Sequence, residues 1–74
     1  MIQTYRYTGK PGNFYTPGQI YELEVQQTYR GLFRRPRVDM WAFRPYPSKP
    51  GVVLQFSRRS YRNWTGFKAE WETP

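Results

Sequence analysis

A chain of 74 residues with twelve basic and five acidic side chains, a net charge of +7 and no cysteine or histidine reads as one small basic domain. Disulfides, zinc sites built from Cys and His, and Cys–His or Ser–His–Asp catalysis are excluded, because each needs a residue type that is absent. Nine of the basic residues are arginine, whose planar fork grips carboxylate or phosphate and stacks on rings, so the charge is of a kind that suits interfaces.

The chain opens with alternation. Ile2 to Thr8 places Tyr5 and Tyr7 on one face of a strand and Thr4, Arg6 and Thr8 on the other. Gly9-Lys10-Pro11-Gly12-Asn13 breaks it with turn residues, and Phe14-Tyr15-Thr16 reads as a short extended piece. Pro17-Gly18 suits the centre of a type II turn, where proline presets φ and glycine takes the positive φ. Gln19 to Gln27 is the clearest strand, with Tyr21, Leu23 and Val25 facing one way and Glu22 and Glu24 the other.

Tyr29-Arg30-Gly31-Leu32-Phe33-Arg34-Arg35-Pro36-Arg37 follows, with four arginines, two aromatic rings and no acid. Between two strands it predicts a long loop or hairpin tip. Val38 to Phe43 resumes as a strand whose two faces are both apolar, which leaves the buried one open. Arg44 to Gly51, with three prolines, predicts a loop, because proline cannot donate to a ladder. Val52, Leu54 and Phe56 define a strand from Gly51 to Ser57, closed by a basic turn at Arg58-Arg59-Ser60.

The tail supports two readings. Tyr61, Trp64, Phe67 and Trp71 fall on one helical face with Ser60 as the cap, which accounts for four aromatics and is preferred. The alternative is a turn over Ser60–Thr65 and then a strand with Phe67, Ala69 and Trp71 inward; Gly66 argues for it. The sum is a mainly β domain: a small antiparallel sheet or partly open barrel of four to five strands, with one short C-terminal helix on the first reading.

Tyr7-Thr8-Gly9-Lys10, and Phe14 through Leu23 in the pattern aromatic-Thr-x-Gly-x-hydrophobic-Tyr-Glu-hydrophobic, resemble a set of small bacteriophage-encoded proteins. Tyr61, Phe67 and Trp71 resemble the ends of such proteins. The resemblance implies an SH3-like β fold and a phage or prophage origin. It also implies a host target such as the transcription machinery, RNA polymerase included, or a defence complex. It transfers no binding residues, because the matching stretch is turn chemistry and the arginine-rich and proline-rich loops lie outside it.

Candidate chemistry therefore rests on the basic residues. Tyr29, Arg30, Phe33, Arg34, Arg35 and Arg37 form the central set, with Arg58, Arg59 and Arg62 extending it if the turns cluster and Arg44 as an outlier. The same residues suit an acidic protein surface, through electrostatic complementarity, or nucleic acid, through phosphate contacts and stacking on bases. The plain alternative is a solvated loop with Leu32 and Phe33 folded back on the core. Glu22 and Glu24 have the spacing of an acid–base pair, but alternating glutamates are ordinary on a solvated strand face. Gly9, Gly12 and Gly18 belong to turns and not to a phosphate loop. The expectation is a non-enzymatic binding module with no cofactor, metal or small-molecule substrate. No apolar run nears the roughly 20 residues of a membrane span. Met1-Ile2-Gln3-Thr4-Tyr5 lacks a basic stretch followed by an apolar one, so no signal peptide is expected and the expected compartment is the cytoplasm.

Overall fold

A computed structural model describes all 74 residues. Strands β1 (Gln3–Tyr7), β2 (Ile20–Arg30), β3 (Arg35–Pro45) and β4 (Val53–Tyr61) precede a single-turn helix α1 (Trp64–Lys68) and a two-residue strand β5 (Trp71–Glu72). They form one antiparallel sheet in the order β4-β3-β2-β1-β5, and it does not close into a barrel. No helix is long and apolar enough to cross a membrane.

Alternation decides which face is buried. Leu23 stands opposite Ala42 and Val25 opposite Met40, so the face carrying Tyr21, Leu23 and Val25 also carries Met40 and Ala42. Tyr7, Tyr15, Leu23, Val38, Met40, Ala42, Phe67 and Trp71 make the core. Half of these are aromatic, which is how so short a chain gains buried area, at about 150–250 Å² per ring. Tyr15 is the hub: its ring lies 5.3 Å from Tyr7, 5.2 Å from Tyr21 and 5.0 Å from Trp71. It sits in an irregular segment, not in the short extended piece expected there.

Gly9 is required by this packing. A Cβ there would lie 2.6 Å from the Tyr7 hydroxyl, which itself donates to the Lys10 carbonyl at 2.7 Å. The expected type II turn forms: Gly18 has φ +88°, and Gln19 N–H donates to the Thr16 carbonyl at 3.2 Å.

Three expectations are corrected. Arg58, Arg59 and Ser60 are not a turn but the second half of β4. A β-bulge at Phe56 lets Gln55 pair with Phe43 and Ser57 with Ala42, which reverses the alternation. After the bulge Arg59 and Tyr61 face the core and Arg58 faces away, opposite to the Val52-Leu54-Phe56 pattern. Arg44 and Pro45 belong to β3 and not to the loop, because Pro45 pairs with β4 beyond the reach of β2 and so interrupts no two-sided ladder.

The tail contains half of each reading. Asn63, not Ser60, caps the helix: its side chain accepts from Gly66 N–H at 2.9 Å, whereas the Ser60 hydroxyl is engaged with Asp39. The helix ends at Lys68, so Trp71 reaches the core from β5, paired with Tyr7, while Ala69 stays exposed.

Candidate functional site

The arginine-rich stretch is a projecting arm. β1 pairs with β2 only as far as Leu23, and β4 with β3 only from Val38 onward. The paired residues Thr28–Arg30 and Arg35–Arg37 therefore form a two-stranded ribbon with no third strand beside it. The arm contributes to an elongated shape of 44 × 24 × 21 Å. Of the two expected forms, a long loop or a hairpin tip, the hairpin tip forms: a four-residue turn, Gly31–Arg34, closed by Arg34 N–H donating to the Gly31 carbonyl at 3.1 Å. Arg34 has φ +51°, the left-handed region that costs a residue with a Cβ about 1–2 kcal/mol.

Leu32 and Phe33 do not fold back. They are 91% and 80% exposed, and Tyr29 is 62% exposed. The register separates the arm's side chains: Arg30, Arg35 and Arg37 take the face away from the helix, while Tyr29 and Pro36 share the helix side. Tyr29 is tied to the helix through Gln27, whose amide donates to the Tyr29 hydroxyl at 3.4 Å and accepts from the Trp64 indole at 3.1 Å.

At the root of the arm lies Asp39, 1% exposed although it points away from the core. What covers it is its own set of partners. Ser60 donates at 2.5 Å, Thr28 at 3.0 Å and Arg30 at 3.2 Å, with Arg58 at 3.9 Å. The Ser60 hydrogen bond, followed by Thr28 and the two guanidinium groups, outweighs burial and holds the carboxyl below its ordinary range. Sequence reasoning missed Asp39 because alternation left the buried face of its strand open and gave no sign that a carboxylate there would be enclosed by partners from two neighbouring strands. The signal available was that it is the only acid between Glu24 and Glu70, set among arginines.

Arg59 is engaged in the core. Its guanidinium lies 4.7 Å over the Tyr15 ring and 5.9 Å over Tyr7, and it reaches both carboxylate oxygens of Glu70 at 3.3 Å. Burial alone would lower its pKa, but the Tyr7 and Tyr61 hydroxyls and Glu70 outweigh burial and raise it. Burial and a 2.6 Å hydrogen bond to Glu70 push the Tyr61 hydroxyl up to about 12. Burial likewise raises Tyr15, against the opposing pull of Ser57 and Arg59.

The nine arginines thus divide. Arg6 pairs with Glu72, Arg30 and Arg58 with Asp39, and Arg59 with Glu70. Arg58 also lies over Trp41, and Arg44, at the far end of β3 from the arm, lies over Phe56. Arg34, Arg35, Arg37 and Arg62 meet no carboxylate. Three of these four line one cleft of about 470 Å³ with Pro36 and Asn63. The structure therefore brings Arg62 to the arm, as the sequence suggested, and leaves Arg44 and Arg59 elsewhere. No protein-family model, curated protein or solved structure matches the chain.

Proposed function

We propose that the chain is a non-enzymatic binding module that docks its arginine-bearing arm on an acidic face of a larger macromolecular complex and inhibits or redirects it. The observation that carries this reading is the division of the arginines. Those on the body of the sheet have a carboxylate or a ring, whereas Arg34, Arg35, Arg37 and Arg62 hold their charge unmatched around the arm. The tip adds Leu32 and Phe33 beside Arg34, and aromatic residues with arginine are enriched where protein interfaces gain most of their energy. Unmatched positive charge also speeds encounter with an acidic partner. The resemblance to phage proteins directs the search to bacterial complexes, with the transcription machinery, RNA polymerase in particular, or a defence complex as the first targets.

The test is affinity capture from bacterial lysate with the wild type and the Arg34→Glu/Arg35→Glu variant side by side. Both positions are exposed, so the variant keeps its fold by circular dichroism. A complex retained by the wild type and lost by the variant supports docking through the arm. Equal retention places the contact elsewhere.

A further inference from the structure

The cleft between the arm and the start of the helix has the composition of a phosphate site. Arg35 and Arg37 reach it from β3, and Arg62 from the turn that follows β4. Pro36 and Asn63 complete its lining, so no carboxylate competes for the guanidinium groups. Arg37 is half-buried, and its Nε is shielded from solvent without a hydrogen-bond partner. Three forks around one volume suit an oxyanion with several acceptors, which describes a phosphate better than a single carboxylate.

Two exposed rings lie on the helix side of the arm, across the open edge of β3 from the guanidinium groups and next to the cleft residues Pro36 and Asn63. Tyr29 is the cross-strand partner of Pro36 and shares its face, and Trp64 follows Asn63 at the helix start, 39% exposed. Their side chains are held in relation to each other through Gln27. Proteins that bind single strands combine a cationic groove for the backbone with aromatic rings on which bases stack. A duplex keeps its bases stacked inside and could use the arginines but not the rings.

From this juxtaposition we infer that the Arg35–Arg37–Arg62 cleft seats the phosphodiester backbone of a single-stranded nucleic acid, with Tyr29 and Trp64 as stacking platforms for its bases. This rests on the reading of the arm as the contact surface and names a polyanion that it takes. Arg62, Asn63 and Trp64 do the work of joining the helix turn to the arm, so the site needs both.

Fluorescence anisotropy of a labelled 20-nucleotide oligo(dT), and of a duplex of the same length, measures binding at several salt concentrations. The wild type is expected to bind the single strand more tightly than the duplex, with log affinity falling linearly in log salt. Arg62→Gln, an exposed position remote from the tip, should weaken binding about tenfold and reduce the salt slope by roughly one phosphate. Tyr29→Ala should weaken the single strand about tenfold while changing the duplex little. Poly-glutamate of equal charge should compete poorly. Tighter duplex binding, full competition by poly-glutamate, or undiminished affinity in Arg62→Gln would each overturn the proposal. Because Arg35 lines the cleft as well, the separating comparison uses Arg34→Glu alone: an Arg62→Gln protein that still retains its captured complex when Arg34→Glu does not separates failure of this site from failure of docking by the tip.

Discussion

At the base of the sheet Arg59 lies over the rings of Tyr15 and Tyr7 and gives its charge to Glu70; at the tip Arg34 and Arg35 reach solvent near Phe33 with no carboxylate in range. The two regions use the same residue types in opposite ways. In the base, rings exclude water and arginine is matched. In the arm, rings are wet and every arginine but Arg30, which meets Asp39 at the root, is unmatched. A chain of this size has little stability to spare, and ordinary domains hold only about 5–15 kcal/mol. Arginines and aromatics left unburied on the arm therefore add little to the fold, which is why the arm is read as the contact surface and the base as its support.

Variants should separate the two regions sharply. Trp71→Ala removes a ring packed on Tyr7, Tyr15 and Phe67 and is expected to cost about 3–5 kcal/mol. A thermal melt followed by circular dichroism should then shift down by on the order of 15–30 °C or show no folded baseline. Near-wild-type melting would mean that the base is not where stability resides.

Asp39→Asn tests the joint between the regions. It removes the charge that Arg30 and Arg58 share and should cost about 1–3 kcal/mol in urea unfolding near neutral pH. The pH dependence follows from the lowered carboxyl. The folded group titrates below its ordinary value of 3.8, so over that interval the folded state holds fewer protons than the unfolded one. Its stabilisation is complete above pH ~4 and is lost as the pH falls through the folded value. The wild-type urea midpoint should therefore drop below pH ~4, and that part of the drop should be missing from Asp39→Asn.

Smaller effects belong to the tip. Arg34→Gly relieves the left-handed φ and should stabilise the chain by a few tenths to about 1 kcal/mol, the gain being limited by glycine's freedom in the unfolded state. Partner affinity should fall all the same, because a guanidinium is lost; a variant both more stable and weaker in binding marks strain kept for function. Leu32→Ser should alter stability by no more than about 0.5 kcal/mol, since the side chain touches solvent. If its melt moves further, the tip is part of the fold and the contrast fails.

The legible parts of the fold were those with local causes. The alternation of Tyr21, Leu23 and Val25 and the Pro17-Gly18 turn follow from period and φ preference alone, and both form. The bulge at Phe56 has no such signature, so the faces of Arg58, Arg59 and Tyr61 could not be read from periodicity continued through it. The tail misled for a related reason. Its aromatic spacing of three, three and four mimics one helix, while the rings come from β4, α1 and β5 in turn. In the candidate site the charge itself was plain from composition. Which arginines were already matched was not, because Asp39 and Glu70 meet their partners only across strands or through the packed tail. Asn63 and Trp64 looked like tail residues until the turn after β4 brought Asn63 to the cleft beside β3 and Trp64 to Gln27 of β2.

The unpaired backbone edge of β2, running past Leu23 to the arm, has a colloidal consequence. An open strand edge is a template on which a second copy can add itself. Two copies joined there would have to bring strongly cationic surfaces together on molecules that each carry +7. At ordinary ionic strength the screening length is about 8 Å, and repulsion keeps such edges apart; at about 1 M salt it shrinks to about 3 Å. Concentrated salt should thus promote self-association of this protein, and a polyanion bound along the arm would neutralise the same repulsion at ordinary salt.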